Sequence, residues 1–334
     1  MAVSTPLLEL QNGSVVFGGG ALSRITTVAV DNVSFQFHEQ PPRILSMVGE
    51  SGSGKTTIAR CLLGLAEPTG GRVLWRGKDI CRLSSDEFRT YRREVQAVFQ
   101  DPYGIYNPYY RVDRVFDVAI RKFGLASSPA KSRELVFDAL RAVDLRPDDT
   151  LGRYPHQLSG GERQRIMLAR AYLLRPKVII ADEPISMLDA AVRTLFMNIL
   201  LDFKEQYGVS TLFITHDLST AYYLGGDILV MEHGRAIEAG SVDSVMDHPA
   251  HPYTQLLLQS VPRPDPRQRW EDAPPPITWR RPATVERPAP QRRNSCLFAD
   301  RCPYVMEVCR QARPRLFRLA DQQAACHLHA ETAV

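Results

Sequence analysis

The sequence has no apolar run near the roughly 20 residues that a bilayer-spanning helix needs. Its opening, MAVSTPLLELQNGSVVF, lacks a basic segment followed by a long apolar stretch. Neither secretion nor insertion is expected, so the chain reads as soluble and any membrane role calls for docking onto another protein. Cysteine is scarce: six in 334 residues are too few for a disulfide scaffold, and Cys61 and Cys81 lie far from the other four. A reducing cytoplasm is the expected compartment. An excess of one charge is also missing. The formal net charge of +4 leaves no electrostatic case for a nucleic-acid partner. Fixed-period repeats are absent too.

What is present fits a globular α/β protein with an appendage: 44% hydrophobic and 23% charged residues over a length greater than one average domain needs. Residues 7 to 48 read as short strands (LLELQNGSVVF, VAVDNVSFQF, RILSMV) leading into a glycine-rich loop. TTIARCLLGLA has helical spacing, and GGRVLWRGKDI returns to strand character. Residues 112 to 175 carry helical patterns. KVIIADEP and STLFITHDL are short apolar runs of the kind found in parallel strands buried on both faces. The expected divisions are residues 7–260, with a helical part at about 101–175, a Pro- and Arg-rich linker at 261–294, and a Cys-rich unit at 295–330. The linker cannot bury much apolar surface, and its arginines read as solvated charge rather than a nucleic-acid or lipid patch.

The strongest local signal is GESGSGKT, residues 49 to 56, placed after a predicted strand and opening a predicted helix. Gly49, Gly52 and Gly54 let the backbone curl so that N–H groups around Glu50, Ser51 and Ser53, with the helix N-terminus, surround phosphate oxygens. Lys55 is expected to reach the β- and γ-phosphates, Thr56 to ligate magnesium and Thr57 to add a phosphate contact. KVIIADEP supplies Asp182 for the magnesium shell and Glu183 as general base toward the attacking water. A nucleoside triphosphate with Mg2+ is therefore the expected ligand, with kinases, GTPases and ATPases all still open.

LSGGERQR, residues 158 to 165, narrows the class, because here the sequence resembles the ATP-binding cassette family of ABC transporters. The resemblance implies an α/β P-loop nucleotide-binding domain with an antiparallel β subdomain, a helical subdomain and a C-terminal extension. It also implies that Ser159, Gly160 and Gly161 grip ATP held by an opposite subunit. Gln100 in VFQDP matches the Q-loop, which touches magnesium or water and couples to the membrane subunits. His216 in FITHD matches the switch histidine, and Asp189 in ISMLD the D-loop at the dimer interface. Phe17 is either the aromatic that stacks on adenine or a core strand residue. ERQR and ISMLD depart from common family spellings, yet no catalytic group is lost.

HPYTQLLLQSVP and CLFADRCPYVMEVC resemble the C-terminal extension of the oligopeptide, dipeptide and nickel importer branch. That resemblance implies a motor at the cytoplasmic face of the membrane, with two permease subunits, a second and homologous ATP-binding subunit, and indirectly an extracytoplasmic solute-binding protein. Cys296, Cys302, Cys309 and Cys326 have the spacing C-x5-C-x6-C-x16-C. Relatives imply a [4Fe–4S] cluster there. The residues themselves also allow zinc, with His327 or His329 as ligands, or free thiols. The rival functions are a soluble ABC ATPase acting on nucleic acid or ribosomes and a P-loop kinase. One cassette without long heptads and the signature loop speak against them.

Overall fold

The structure is a computed structural model that describes residues 5–18, 26–101, 104, 106–260 and 294–330. The expected linker at 261–294 therefore lies outside the described residues apart from Asn294. The chain opens with two long strands, β1 (Leu8–Gly18) and β2 (Thr26–Phe37). β3 (Ile44–Val48) follows and feeds α1 (Lys55–Leu62). A hairpin of β4 (Gly70–Trp75) and β5 (Lys78–Asp79) leads to α2 (Ser85–Glu94) and β6 (Val95–Val98). The helical stretch is α3 (Asp113–Phe123), α4 (Pro129–Arg141), α5 (Pro147–Thr150) and α6 (Gly160–Leu173). Then come β7 (Val178–Asp182), α7 (Ala190–Tyr207), β8 (Ser210–Thr215) and α8 (Leu218–Leu224). The hairpin of β9 (Asp227–Glu232) and β10 (Arg235–Ser241) precedes α9 (Val242–Asp247) and α10 (Pro252–Gln259). The C-terminal segment adds α11 (Glu307–Gln311), β11 (Phe317–Arg318) and β12 (Gln322–Ala324).

Two sheets form the frame among the described residues. The first is antiparallel, in the order β2-β1-β4-β5. The second runs β11-β12-β10-β9-β3-β8-β7-β6, parallel from β9 to β6 and antiparallel beyond. Its central strands β3 and β8 are buried at every residue because both faces are covered. Alternate side chains enter different cores: Val178 and Ile180 of β7 join the cluster with Leu8, Leu10 and Ile58, whereas Ile179 and Ala181 join the one with Phe196, Leu200 and Phe203. β8 divides the same way, Leu212 and Ile214 on one side and Phe213 on the other. Burying each valine, leucine, isoleucine or phenylalanine among these contributes about 1.5–3 kcal/mol.

The cysteine-bearing segment does not stand apart as its composition suggests. β12 pairs antiparallel with β10, Ala324 opposite Glu238, so the segment extends the main sheet. Its Phe298 is 1% exposed and packs edge-on against Tyr253 of α10, ring centroids 5.7 Å apart.

Candidate functional site

The loops that leave the carboxyl ends of neighbouring parallel strands carry the site, as expected where an α/β sheet binds ligands. The P-loop follows β3, Gln100 follows β6, Asp182 and Glu183 end β7, and His216 follows β8. Parallel register keeps these ends level, with Val48 opposite Thr215 and Asp182 opposite Ile214.

Gly54 caps α1 with φ 102°, and a Cβ there would stand 2.3 Å from the Ala29 carbonyl oxygen. At Gly49 a Cβ would meet the Met231 carbonyl oxygen at 2.1 Å. Both positions admit only glycine, which is why the curl closes on the sheet. Lys55 Nζ donates to the carbonyls of Gly49 (2.8 Å) and Glu50 (2.9 Å) and to Ser53 Oγ (3.3 Å). Burial pushes the Lys55 ammonium pKa below its usual range, while the charges of Glu183, Asp182 and Glu50 pull it back up.

Thr56 Oγ1 donates to Asp182 Oδ1 at 3.2 Å. Two hard oxygen donors at the end of the P-loop suit magnesium. Burial raises the Asp182 carboxyl pKa, and the Thr56 hydrogen bond acts against that rise. Glu183 is the hub of the far side: its Oε2 lies 3.4 Å from Gln100 Nε2 and 3.4 Å from His216 Nδ1. Its backbone has φ 46°, a left-handed conformation that costs a residue with a Cβ roughly 1–2 kcal/mol. The Glu183 N–H donating to Ile214 O at 2.9 Å helps hold that conformation.

The structure thus brings Lys55, Thr56, Asp182, Glu183, Gln100 and His216 together. Ser51 and Gly52 lie at the exposed crest of the P-loop, and Thr57 is half-buried in α1. Phe17 is 52% exposed near the end of β1, so the core reading of that ring is wrong. Exposed Ser159 and half-buried Gly160 form a separate turn: Ser159 Oγ accepts from the Glu162 N–H at 3.2 Å, and Glu162 Oε2 accepts from the Ser159 N–H at 2.7 Å. Gly161 lies against α7, where a Cβ would meet Val192 Cγ1 at 2.5 Å. Among the described residues no hydrogen bond joins this turn to the P-loop. Asp189 is exposed at the N-cap of α7.

Three contacts escaped the sequence. Gln164, buried in α6, donates through Nε2 to the Phe99 carbonyl at 2.8 Å and so ties the signature helix to the residue before Gln100. Tyr253 and Arg301 both hold Glu50. Nothing periodic announces them, although Tyr253 falls in the HPYTQLLLQ stretch already singled out.

The four C-terminal cysteines are unpaired, and the Cys296 N–H donates to the Cys309 carbonyl at 2.9 Å. Burial pushes the thiol of Cys296 up to about 12 and that of Cys326 up to about 11, with neighbouring cysteines adding to the rise. Among the described residues no three His, Cys, Asp or Glu side chains stand close enough to hold a metal ion. The expectation of a ready metal set at Cys296, Cys302, Cys309 and Cys326 is corrected to that extent. The same absence covers the zinc reading with histidine ligands; His327 Nε2 bonds to the Ala312 carbonyl at 3.0 Å and His329 Nε2 to that of Ala250 at 2.9 Å.

A family model described as "ABC transporter" matches residues 30–186, and one described as "Oligopeptide/dipeptide transporter, C-terminal region" matches residues 237–309. A curated relative from Sinorhizobium fredii, called a probable peptide ABC transporter ATP-binding protein, is 40% identical over 307 residues, spanning 91% of this chain and 84% of the relative. The di/tripeptide transport ATP-binding protein DppF of Pseudomonas aeruginosa is also 40% identical, over 91% of this chain and 90% of its own. Among solved structures, a dimeric ATP-binding cassette in a post-hydrolysis state bound to ADP and Pi superposes with a TM-score of 0.62 at 28% identity, covering 70% of this chain and 98% of that one. A cassette fold, a P-loop facing its acid pair and full-length relatives lead to one conclusion: the chain belongs to the ABC transporter family, among its ATP-binding subunits.

Proposed function

We propose that this chain is the ATP-hydrolysing motor of a peptide importer, working at the cytoplasmic face of the membrane on two permease subunits and beside a second, homologous ATP-binding subunit. A solute-binding protein outside the cell membrane delivers the peptide to the permease. The observation that carries this reading is the tandem match in one chain of an ABC cassette and the oligopeptide/dipeptide C-terminal region. No helix among the described residues is long and apolar enough to cross a membrane, so force reaches the permease by contact.

The residue roles follow from chemistry. ATP phosphates lie in the curl of Gly49–Thr57, with Lys55 countering charge on the β- and γ-oxygens. Thr56, Asp182 and Gln100 would hold magnesium, which would supply positive charge against the phosphates. Glu183 takes a proton from water as the water oxygen bonds the γ-phosphorus and the bond to the ADP oxygen breaks. His216 contacts the γ-phosphate. Phe17 stacks on adenine, its exposed face free for a base. Ser159, Gly160 and Gly161 act on ATP bound to the partner subunit, and Asp189 crosses that interface. Their turn hydrogen-bonds to itself rather than to its own P-loop, which suits a role in trans.

The domain division that fits this role is a cassette at 7–260, with its helical part at about 101–175, a linker at 261–294 and a C-terminal extension at 295–330. The finer reading of that extension is an iron–sulfur centre on Cys296, Cys302, Cys309 and Cys326. Three buried cysteines and the half-buried Cys296, within electrostatic reach of one another, would supply the four thiolates such a cluster takes. Iron and sulfide analysis of protein purified without oxygen tests it: near four irons per chain supports the cluster, and iron-free protein with full activity removes it.

Co-expression with the neighbouring permease genes tests the whole proposal. The expected result is a membrane complex that hydrolyses ATP faster when a peptide-loaded binding protein is added. A chain that ignores the permease and hydrolyses ATP only with nucleic acid overturns it.

A further inference from the structure

The residue after the opening glycine of the P-loop is held from the C-terminal part of the chain. The Glu50 carboxylate accepts two hydrogen bonds from the Arg301 guanidinium, from Nη2 at 2.8 Å and from Nη1 at 3.3 Å, one on each oxygen. The Glu50 N–H donates to the Tyr253 hydroxyl at 3.0 Å. Its carbonyl in turn accepts from Lys55 Nζ at 2.9 Å. A single residue thus joins the P-loop lysine to side chains 203 and 251 positions further along the chain.

The support is itself fixed. Arg301 lies over the rings of Phe298 and Tyr253, at 5.3 and 5.9 Å from their centroids, and both rings are buried. A two-point fork onto a carboxylate sets the plane as well as the distance, which one charge alone does not. The two side chains are 21% and 40% exposed, so water screens the pair and its main effect is on geometry.

We propose that Arg301 is a positioning residue for nucleotide binding: through Glu50 it holds the start of the P-loop in the curl from which Lys55 and the loop N–H groups meet phosphate, without touching nucleotide itself. The inference rests on the ATPase reading given above. It makes the cysteine-bearing segment part of the nucleotide site's support, because Arg301 sits between Cys296 and Cys302 in the chain. Among the described residues, Glu183, Gln100 and His216 follow other strands and make no hydrogen bond to Glu50 or Arg301, so loss of the link acts on ATP affinity and far less on the chemical step.

The experiment uses the purified full chain, a fluorescent ATP analogue and steady-state hydrolysis, on wild type, Arg301→Ala, Arg301→Lys, Glu50→Gln and the Arg301→Ala/Glu50→Gln double variant. Arg301→Ala is expected to raise KM for ATP and weaken analogue binding roughly three- to fivefold, with kcat much less changed. Arg301→Lys recovers part of the loss, since it restores charge but not the fork. The double variant is no worse than the worse single one, because both remove the same contact. If Arg301→Ala folds poorly, the Lys and Gln variants carry the same comparison. Unchanged KM in Arg301→Ala, additive losses in the double variant, or a fall in thermal stability and kcat at constant KM each overturn the inference while leaving the ATPase reading in place. A wild-type chain that binds no ATP overturns both.

Discussion

The two sides of the P-loop handle charge in opposite ways. On the nucleotide side Lys55 is buried, but the other site groups are partly open and loosely joined: the His216 side chain is 59% exposed, and Glu183 meets it and Gln100 at 3.4 Å. Behind the loop, Glu232, Glu238 and His251 are buried. Burial pushes the Glu232 carboxyl up to about 8 and holds the His251 imidazole down at about 3, so both are neutral near pH 7. The Glu238 carboxylate instead accepts from the backbone N–H groups of Ala250 and His251, at 2.6 and 3.0 Å. The open side is arranged for a ligand that brings its own charge and metal. The closed side is arranged to fix geometry, and its groups give up charge or find backbone partners to do so.

Substitutions on each side separate these two designs, and the largest effect is expected on the open side. Lys55→Ala removes the cation at the phosphates and lowers ATP turnover by about 100- to 1,000-fold in a phosphate-release assay, with the melting temperature little changed. On the closed side, Phe298→Ala cuts out the ring that packs on Tyr253 and His251. It is expected to cost about 3 kcal/mol in chemical denaturation and to expose the C-terminal segment to limited proteolysis.

A smaller effect comes from pH. The folded protein keeps a proton on Glu232 that the unfolded chain releases near the ordinary carboxylate value of 4.5. The stability this group contributes is full at acid pH and is lost as pH rises through about 8. Between pH 7 and 9 the wild type is expected to lose about 1–2 kcal/mol that Glu232→Gln retains, measured by denaturation at each pH. The smallest effect is at the signature turn, where Ser159→Ala removes a helix cap and costs about 1 kcal/mol. Circular-dichroism melts read that loss.

The nucleotide side was legible in the sequence because its chemistry is local. Lys55 and Thr56 sit in one short motif, Asp182 and Glu183 stand at the end of one apolar strand, and the parallel strands Ile44–Val48 and Ser210–Thr215 are mostly apolar. The closed side depends on pairs far apart in the chain. Neither Arg301 nor Tyr253 carries a pattern that points to Glu50, and the two- and three-residue strands Phe317–Arg318 and Gln322–Ala324 are too short for any periodicity. Composition set the cysteine segment apart, yet three-residue pairing with Arg235–Ser241 joins it to the sheet. Phe17 shows the same limit on the open side: strand character was readable, the face was not, because β1 changes register between Leu10 and Val16.

The most direct test of the account is a comparison of wild type with Glu183→Gln in the permease complex, with bound ATP and released phosphate measured on the same sample. The account predicts that Glu183→Gln keeps ATP on its P-loop while turnover at that site falls by about 100-fold or more. A variant that hydrolyses ATP as fast as wild type, or one that no longer binds ATP, would contradict the placement of the general base at the end of β7.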